Sequence, residues 1–378
     1  MTNTDAMDQN RLSFLALHFI PGVGDYLVKQ LVSYCGSAEQ VFKTPKGKLL
    51  KIPGIGQVTA EAIRSERTFY QAEKEFRKAE KEETEILFFT DKNYPRRLKE
   101  IDDAPSLLYY KGNANLNHPK SVAIVGTRQA TTYGKEIVTK IVEELKPHDA
   151  MIVSGLAYGI DIHAHKQSLK NDLPTLAVMG SGMDVIYPAV HKETASRMVS
   201  HGALLTENHF GTKPDAHNFP ARNRIIAGLC DALIVVEAAE KGGALITAEI
   251  ANSYNKDVFA VPGALGQTYS EGCNKLIRNN KAVIYTSMKD IEYHMNWSVE
   301  GAHSGKKANE EIDFRAFDPD EQKILTLLKA KGAPMMIDEL TIKSSLSPSQ
   351  LASLLLTLEF SDVVKSLPGK QFALKKNG

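Results

Sequence analysis

The middle of the chain alternates short, fully apolar runs with longer segments whose apolar residues recur at helical spacing. The first run, Ser121–Val125, ends in Gly126, and a helix-like segment begins near Thr131. Runs of this kind are typical of strands buried in a parallel sheet. Five more follow it: Met151–Gly155, Thr175–Gly180, Ala203–Glu207, Ala232–Glu237 and Val258–Gly263. The pattern predicts an α/β fold with a doubly wound, mostly parallel sheet between Lys120 and Thr286.

Before the sheet, the chain repeats the pattern Ile-Pro-Gly-apolar-Gly-polar. The copies start at Ile20 and Ile52, an offset of 32 residues (52 − 20), about the length of a helix–turn–helix repeat. The segment resembles helix-hairpin-helix (SAM-like) modules, whose exposed amides bind nucleic-acid phosphates. Simple packing of a small helical bundle is the alternative. The flanking residues do not decide between the two, because Asp25 in the first hairpin would repel phosphate whereas Lys51 precedes the second hairpin.

A highly charged segment joins these hairpins to the sheet. Residues 69–85 carry charges of both signs and lack Gly and Pro. This composition predicts a solvent-exposed connecting helix. Ile86–Thr90 then predicts a short strand, and we expect residues 91–112 to pack against the edge of the sheet.

The end of the chain predicts a separate small domain. Residues 298–309 are rich in Gly, Ser and Lys and have no apolar period, which indicates a linker. Helices are predicted at Asp320–Lys329, Ile337–Leu340 and Ser347–Glu359, followed by a hairpin of Val363–Leu367 and Gln371–Lys375. This arrangement resembles a winged helix. Its third helix is poor in Arg and Lys, which favours a protein-interaction or conformational role over the reading of duplex DNA.

These patterns predict four parts: a helical domain with its connector (1–85), the sheet domain (86–297), a linker (298–312) and a winged-helix-like domain (313–378). The 378 residues carry a net charge of only +1, so any nucleic-acid binding must use locally placed cations and backbone amides. Three scattered cysteines do not support a disulfide framework or structural zinc. No apolar run is long enough to span a bilayer and no targeting segment is recognisable, so we expect a cytoplasmic protein.

Glycine-rich and polar motifs follow the predicted strands, at the edge where a doubly wound sheet opens its ligand crevice. Gly126 leaves room for an anion, Thr127 supplies a hydroxyl, and Arg128 supplies a guanidinium that fits phosphate oxygens. The other motifs contribute further candidates: Ser154, Gly155, Ser181, Gly182, Phe219, Arg222, Asn223, Arg224, Gly242, Gly243 and Thr247. We predict one phosphate-binding rim whose ligand is single-stranded nucleic acid.

The spacing of these motifs does not fit the usual nucleotide signatures. Gly126 is not part of G-x-G-x-x-G, the Gly-x-Gly pair after the third strand lacks the third glycine, and no Walker A loop occurs. His163 and His165 lie two apart, which places them on different faces of a helix and is poor for one metal site. Asp161 fits a helix N-cap better than a catalytic base. We therefore predict no metal, cofactor or catalytic residue.

The motifs in their order resemble the DNA-processing protein A (DprA/Smf) family over about Thr90–Thr286. The matching motifs are Tyr94-Pro95, Asp103-Ala-Pro105, IVGTR (124–128), SGLAYGID (154–161), VMGSGMDVIYP (178–188), LLTE (204–207), FPARNRIIAGL (219–229), VVEA (235–238), LITAEIA (245–251), VFAVPG (258–263) and GCNKLI (272–277). The resemblance implies a Rossmann-like core in a cytoplasmic protein without catalytic activity. It also implies binding of single-stranded DNA, a homodimer, and loading of the RecA recombinase during natural transformation.

The resemblance also implies residue roles. Arg128 is expected to grip a phosphate and Phe219 to stack on a base, which tolerates any sequence because every base has a π face. The rim is expected to use amides and hydroxyls of Ser154, Gly155, Ser181 and Gly182. One departure is visible, because this chain has Gly242 where the family commonly has Ser. A possible phosphate donor is lost there, while the backbone amides remain.

The arginines of the FPARNR motif have two possible roles. Arg222 and Arg224 are expected to hold the DNA backbone, unless one of them pairs inside the fold with Glu207 or Glu237.

Two other functions use the same elements. Rossmann-like nucleotide phosphoribohydrolases carry G-G-x-G-T-x-x-E at the corresponding helix start, and residues 242–249 look similar. The spacing differs, however, and would misplace a catalytic carboxylate at Glu249. A transcription regulator built on the winged helix is disfavoured by the weakly basic third helix.

Overall fold

A computed structural model describes residues 3–65, 67–297, 314, 317–361, 363–367 and 371–374. Contacts divide the chain into two compact units, Met1–Val299 and Glu300–Gly378. The predicted linker, residues 298–312, lies outside the described residues. The predicted boundary between residues 85 and 86, inside the first unit, stays a prediction.

The first unit begins with helices that surround the two predicted hairpins. Gly22 and Gly54 have φ values of +79° and +80°, a left-handed conformation that explains the glycine in each copy. The helices are α1 (Asn3–His18), α2 (Asp25–Cys35), α3 (Ala38–Lys43), α4 (Lys46–Leu49), α5 (Gln57–Ala62) and α6 (Arg67–Lys81). One apolar cluster contains Phe14 of α1 together with Phe88 and Tyr109 of the sheet. The helices therefore pack directly on the sheet.

The first hairpin is docked on the rest of the unit. The Asp25 carboxylate accepts hydrogen bonds from the Ser106 amide and hydroxyl, both at 2.7 Å. Lys29, one turn further along α2, donates to the carbonyl oxygen of Ala104. Asp25 therefore holds the hairpin in place. Lys51, which precedes the second hairpin, is exposed.

The charged segment before the sheet is a packed helix, contrary to the prediction of an exposed connector. α6 buries Thr68, Ala72, Glu75 and Ala79 and packs against α1. The sequence prediction was wrong because charges of both signs surround these positions and hide a narrow buried stripe.

Nine strands form one sheet in the described part of the first unit. The strands are β1 (Glu85–Phe88), β2 (Leu107–Gly112), β3 (Ser121–Val125), β4 (Met151–Ser154), β5 (Thr175–Val178), β6 (Gly202–Thr206), β7 (Ala232–Val235), β8 (Asp257–Ala260) and β9 (Val283–Ile284). Their order is β1-β2-β6-β5-β4-β3-β7-β8-β9. β3 to β9 pair in parallel, whereas β1 and β2 add antiparallel strands beside β6. The predicted edge segment therefore extends the sheet itself.

Helices connect these strands and cover the sheet. They are α7 (Arg96–Lys99), α8 (Thr132–Leu145), α9 (Ile160–Lys170), α10 (Lys192–His201), α11 (Asn218–Leu229), α12 (Gly243–Ser253), α13 (Glu271–Arg278) and α14 (Met288–Met295). This confirms the predicted doubly wound α/β fold.

The strand order reverses at β3. From β3 the chain moves outward through β4, β5 and β6, and then returns to place β7 on the other side of β3. At such a switch point the loops after the two central strands diverge and leave a crevice at their carboxyl ends. The first predicted motif follows β3, so it lies at this crevice.

The second unit contains three helices and a small sheet, as predicted for a winged helix. Ser347 caps the third helix by accepting a hydrogen bond from the Gln350 amide, and Pro348 follows it at N1, also as predicted. The elements are α15 (Pro319–Lys331), α16 (Ile337–Ser344), α17 (Pro348–Phe360), β10 (Met335–Met336), β11 (Val364–Leu367) and β12 (Gln371–Leu374). β10 was not predicted because two residues carry no periodicity.

The described residues also bear on the predictions about membrane spans, metal sites and cysteines. No helix in the described part of the chain combines the length and apolar character needed to cross a membrane. The same residues contain no group of three or more His, Cys, Asp or Glu that could hold a metal ion. Cys35, Cys230 and Cys273 are free thiols.

Candidate nucleic-acid interface

A cavity of about 760 Å³ opens where β3 and β7 end. Nine of the fourteen predicted residues line it: Gly126, Thr127, Arg128, Phe219, Arg222, Asn223, Gly242, Gly243 and Thr247. An adjoining pocket of about 10 Å³ shares Arg128, Phe219 and Arg222 and adds Gly155 and Ser181. The structure therefore brings together motifs that are far apart in the sequence.

Arg128 lies exposed at the mouth of the cavity, just after β3. Its guanidinium carbon is 5.3 Å from the centre of the Phe219 ring, within the range of a cation–π contact. Among the described residues it has no ion-pair or hydrogen-bond partner. Its charge is therefore available to an anionic ligand.

Two aromatic rings stand together beside this arginine. Phe219 lies in the first turn of α11, and Tyr187 lies in the loop after β5 with its ring centre 5.9 Å away. Tyr187 is 45% exposed and lines the cavity. The sequence prediction missed Tyr187, although it stands inside a quoted motif. Its position offers a second surface on which a base can stack.

The N-terminus of α12 faces the cavity. Gly242 is the N-cap and supplies no side-chain hydrogen bond, and both it and Gly243 line the cavity. Free amides and the helix dipole at such an end favour an anion. Lys241, which was also missed, is exposed at the same place. The Thr247 hydroxyl donates to the Gly243 carbonyl at 3.1 Å, so it supports the helix end.

Arg222 is buried, which corrects its predicted role in holding the DNA backbone. Its guanidinium donates to the carbonyl oxygens of Gly155 and Val178, at the ends of β4 and β5. Burial lowers the pKa of Arg222 to about 10, against the opposing influence of the Asp161 carboxylate. A Cβ at Gly155 would lie 2.4 Å from this guanidinium, which explains the glycine. Arg222 therefore holds two loops of the cavity in place.

Arg224 pairs inside the fold. It forms an ion pair with Glu207, donates to the Asp103 carbonyl and lies 3.6 Å from Asp25. Burial raises the pKa of Glu207 to about 7, although Arg224 opposes this. This is one of the two pairings allowed by the sequence. Arg224 does not line the cavity, so the expectation of a DNA contact there is corrected.

The other acidic candidate, Glu237, forms no ion pair with an arginine of the described ranges. Its carboxylate accepts the amide of Thr131 at 2.9 Å and the hydroxyl of the same residue at 2.5 Å. It therefore anchors the start of α8.

Three predicted rim residues are directed into the protein. The Ser154 hydroxyl is fully buried and donates to the carbonyl oxygen of Ile124 at 2.6 Å. The Ser181 hydroxyl donates to the carbonyl oxygen of Val185, also at 2.6 Å. Gly182 lies against the backbone of His209. The Ser154 bond joins the ends of β4 and β3, and the Ser181 bond lies within the loop after β5, so neither hydroxyl proton is free for a phosphate.

Asp161 is not the N-cap of α9, contrary to expectation, because Gly159 occupies that position. Its buried carboxylate accepts the Gly155 amide at 3.1 Å and also lines the cavity. Burial raises its pKa. His163 and His165 contact Thr139 and Thr175 at 3.0 and 2.7 Å, on different sides of α9.

The carboxylate required by the phosphoribohydrolase alternative lies elsewhere. Glu249 forms an exposed ion pair with Lys281 at 2.6 Å and does not line the cavity. The different spacing of residues 242–249 thus goes with a Glu249 carboxylate that lies outside the cavity.

Two family models match this chain. The model described as DNA recombination-mediator protein A covers residues 85–296, and the DprA winged helix domain covers residues 310–370. Protein Smf from Synechocystis is 32% identical over 95% of this chain and 97% of its own length. DNA processing protein DprA from Streptococcus pneumoniae is 44% identical over 53% of this chain and 71% of its own length.

Solved structures show the same relationship. The X-ray structure of DprA from Streptococcus pneumoniae has a TM-score of 0.63 at 34% identity, covering 78% of this chain and 98% of that one. A structure of DNA processing protein A from Helicobacter pylori, which concerns its single-stranded DNA binding mode, has a TM-score of 0.51 at 29% identity and covers 56% and 95%. The predicted family resemblance is confirmed. The first family model covers more than half of the chain, and the chain belongs to the DprA/Smf family of DNA-processing proteins.

Proposed function

We propose that this DNA-processing protein binds single-stranded DNA in the cavity between β3 and β7. The observation that carries this proposal is the unpaired Arg128 guanidinium beside the Phe219 ring. A cation next to an aromatic surface matches the alternation of phosphate and base along a single strand. Lys241 and the open end of α12 add positive potential on the other side of the cavity. The Helicobacter pylori relative, studied for its single-stranded DNA binding mode, supports the same ligand.

The finer function rests on the family resemblance. We propose that the protein acts in the cytoplasm as a homodimer, protects incoming DNA and loads RecA onto it during natural transformation, without catalysing a reaction. RecA loading is measured as RecA ATPase activity on DNA coated with single-strand binding protein, with and without this protein. No stimulation would contradict that part of the proposal and leave DNA binding intact.

Arg128→Ala tests the DNA site. The substitution removes a charge-assisted contact with phosphate. Such hydrogen bonds contribute about 1.5–3 kcal/mol, so the dissociation constant for a labelled oligo-dT should rise roughly 10- to 100-fold. Fluorescence anisotropy at fixed salt measures the change. Arg197→Ala is the matched control, because Arg197 is exposed on α10 and does not line the cavity. Equal affinities of the two variants would remove Arg128 from the site.

Salt dependence separates a DNA backbone contact from a small-molecule pocket. Affinity should fall with the logarithm of salt concentration, with a slope of about −0.7 for each neutralised phosphate of a single strand. Arg128→Ala should make the slope shallower by about that amount. Release of free base from nucleoside monophosphates, abolished by Glu249→Gln, would instead support the phosphoribohydrolase alternative.

A further inference from the structure

One wall of the cavity belongs to a loop without helix or strand, residues 207–217, which joins β6 to α11. Pro214 and Ala216 of this loop line the cavity, and Phe219 follows immediately in α11. The wall therefore depends on contacts that hold the loop from behind. Several of those contacts come from α6, far from the loop in the sequence, and another comes from the Gly182 amide, which donates to the Thr212 carbonyl oxygen at 2.9 Å.

Glu75 of α6 is the centre of the first set of contacts. Its carboxylate accepts the hydroxyl of Tyr109 at 2.7 Å and the amide of Phe210 at 2.8 Å. His209 Nδ1 lies 2.7 Å from the same Tyr109 hydroxyl, and its ring stacks on Phe19 at 4.5 Å. Glu75 is 9% exposed, and these hydrogen bonds offset the cost of burying its charge. Burial raises the pKa of Glu75, but its contacts with His209, the Tyr109 hydroxyl and the Phe210 amide together hold that pKa below its usual value.

Lys78, one turn further along α6, is the centre of the second set of contacts. It forms an ion pair with Asp184, whose other carboxylate oxygen accepts the Gly211 amide at 2.8 Å. The Lys78 ammonium also lies 5.1 Å from the centre of the Phe210 ring. Consecutive loop residues 209–211 are thus held directly or indirectly by α6. Three residues further on, the loop reaches the cavity at Pro214.

We propose that Glu75 and Lys78 are positioning residues for DNA binding: α6 fixes one end of the 207–217 loop and thereby sets the cavity wall that leads to Phe219. This rests on the proposed binding of single-stranded DNA. α6 does not line the cavity, so its influence passes through the loop. The N-terminal helices thus contribute to DNA affinity without touching DNA.

Glu75→Ala is the decisive variant, with Glu75→Gln as its conservative partner. Alanine leaves the Phe210 amide and Tyr109 hydroxyl without their acceptor, whereas the glutamine oxygen still accepts the Phe210 amide. The dissociation constant for oligo-dT should rise roughly five- to tenfold in the alanine variant, within the range of coupling between sites. The glutamine variant should recover most of the affinity. Glu73→Ala is the matched control, because Glu73 is exposed on the same helix.

Hydrogen exchange distinguishes positioning from a general loss of stability. In Glu75→Ala, the Phe210 and Gly211 amides should exchange faster while amides of the central strands keep their protection. By thermodynamic reciprocity, DNA should slow exchange of these two amides in the unmodified protein.

A folded Glu75→Ala protein with faster loop exchange and unchanged DNA affinity would overturn the proposal. If Glu75→Ala does not fold, Lys78→Met replaces it as the test variant. The Lys78 side chain is 38% exposed, so the protein should fold without its charge. Unchanged affinity of Lys78→Met would then overturn the proposal. Failure of the unmodified protein to bind oligo-dT would instead refute the proposed function.

Discussion

The three arginines predicted to bind DNA differ in burial, and burial determines what each contributes. Arg128 is exposed and unpaired among the described residues, whereas Arg222 is buried on two backbone carbonyls and Arg224 pairs with Glu207. A buried guanidinium that satisfies carbonyl oxygens cannot move to a phosphate without leaving them unpaired. The exposure of Arg128 agrees with its strand-end motif, and its role as a DNA contact stays a prediction. The roles of the two helix arginines depend on what α11 packs against, which the motif does not encode.

Arg222→Met is expected to destabilise the protein. It removes the guanidinium donor of the Gly155 and Val178 carbonyls and a positive charge that favours the ionised form of Asp161. Leaving buried acceptors unsatisfied costs about 1–3 kcal/mol each in free energy of unfolding. Urea denaturation followed by circular dichroism measures the change. Arg197→Met, an exposed substitution, should stay within about 0.5 kcal/mol; a similarly small effect for Arg222→Met would show that the carbonyl contacts contribute little.

At the scale of the element, the N-terminus of α12 has no side-chain cap, and its amides face the cavity. Gly242 is extended, with φ −162°, and the nearest atom to an added Cβ is 3.8 Å away. A side chain therefore fits without strain.

Gly242→Ser should strengthen DNA binding. Serine is a favoured N-cap residue, and its hydroxyl can either cap α12 or donate to a phosphate. We expect oligo-dT affinity to rise about two- to fivefold, which corresponds to roughly 0.4–1 kcal/mol. Gly242→Ala is the control, since it adds a Cβ without a hydroxyl. An equal change in both variants would assign the effect to backbone restriction.

Elements were predictable where one pattern dominates their sequence. The buried strands β3 to β8 read as apolar runs because both faces of the sheet are covered. α6 was misread as exposed because buried Glu75 and exposed Glu73 are the same residue type. Only the tertiary partners, Tyr109 and the Phe210 amide, distinguish the two glutamates.

At the scale of the whole molecule, a buried histidine makes stability depend on pH. His165 is fully buried, and burial lowers its pKa to about 3, with Arg222 and His191 acting in the same direction. Its Nδ1 lies 2.7 Å from the Thr175 hydroxyl. The folded protein therefore keeps this ring neutral through the range in which an unfolded chain protonates it.

Acidification should reduce stability through His165. Between pH 6.5 and about 3 the unfolded chain binds a proton that the folded protein excludes, so the free energy of unfolding falls as pH falls. From the ordinary histidine pKa, the contribution at pH 5 is about 2 kcal/mol. His165→Gln should show a shallower decrease in urea denaturation between pH 7 and 5. Parallel pH profiles for the two proteins would rule out this origin.

The overall fold was predictable because the order of short motifs along the chain matches one family. The cavity wall formed by the 207–217 loop was not predictable, because its anchors on α6 lie more than 130 residues earlier in the sequence (210 − 75 = 135). Long-range contacts of this kind leave no local pattern.

The pairing of β3 with β7 also sets when the cavity can form during synthesis. Val122 pairs with Ala232, which the ribosome adds 110 residues later (232 − 122). A nascent chain that ends before β7 carries Arg128 but has neither the second strand of the crevice nor the start of α12. Closing so long a loop is also among the slower steps of folding. A growing polypeptide therefore cannot form the proposed DNA-binding cavity until after Gly243, when about two thirds of its 378 residues have been made.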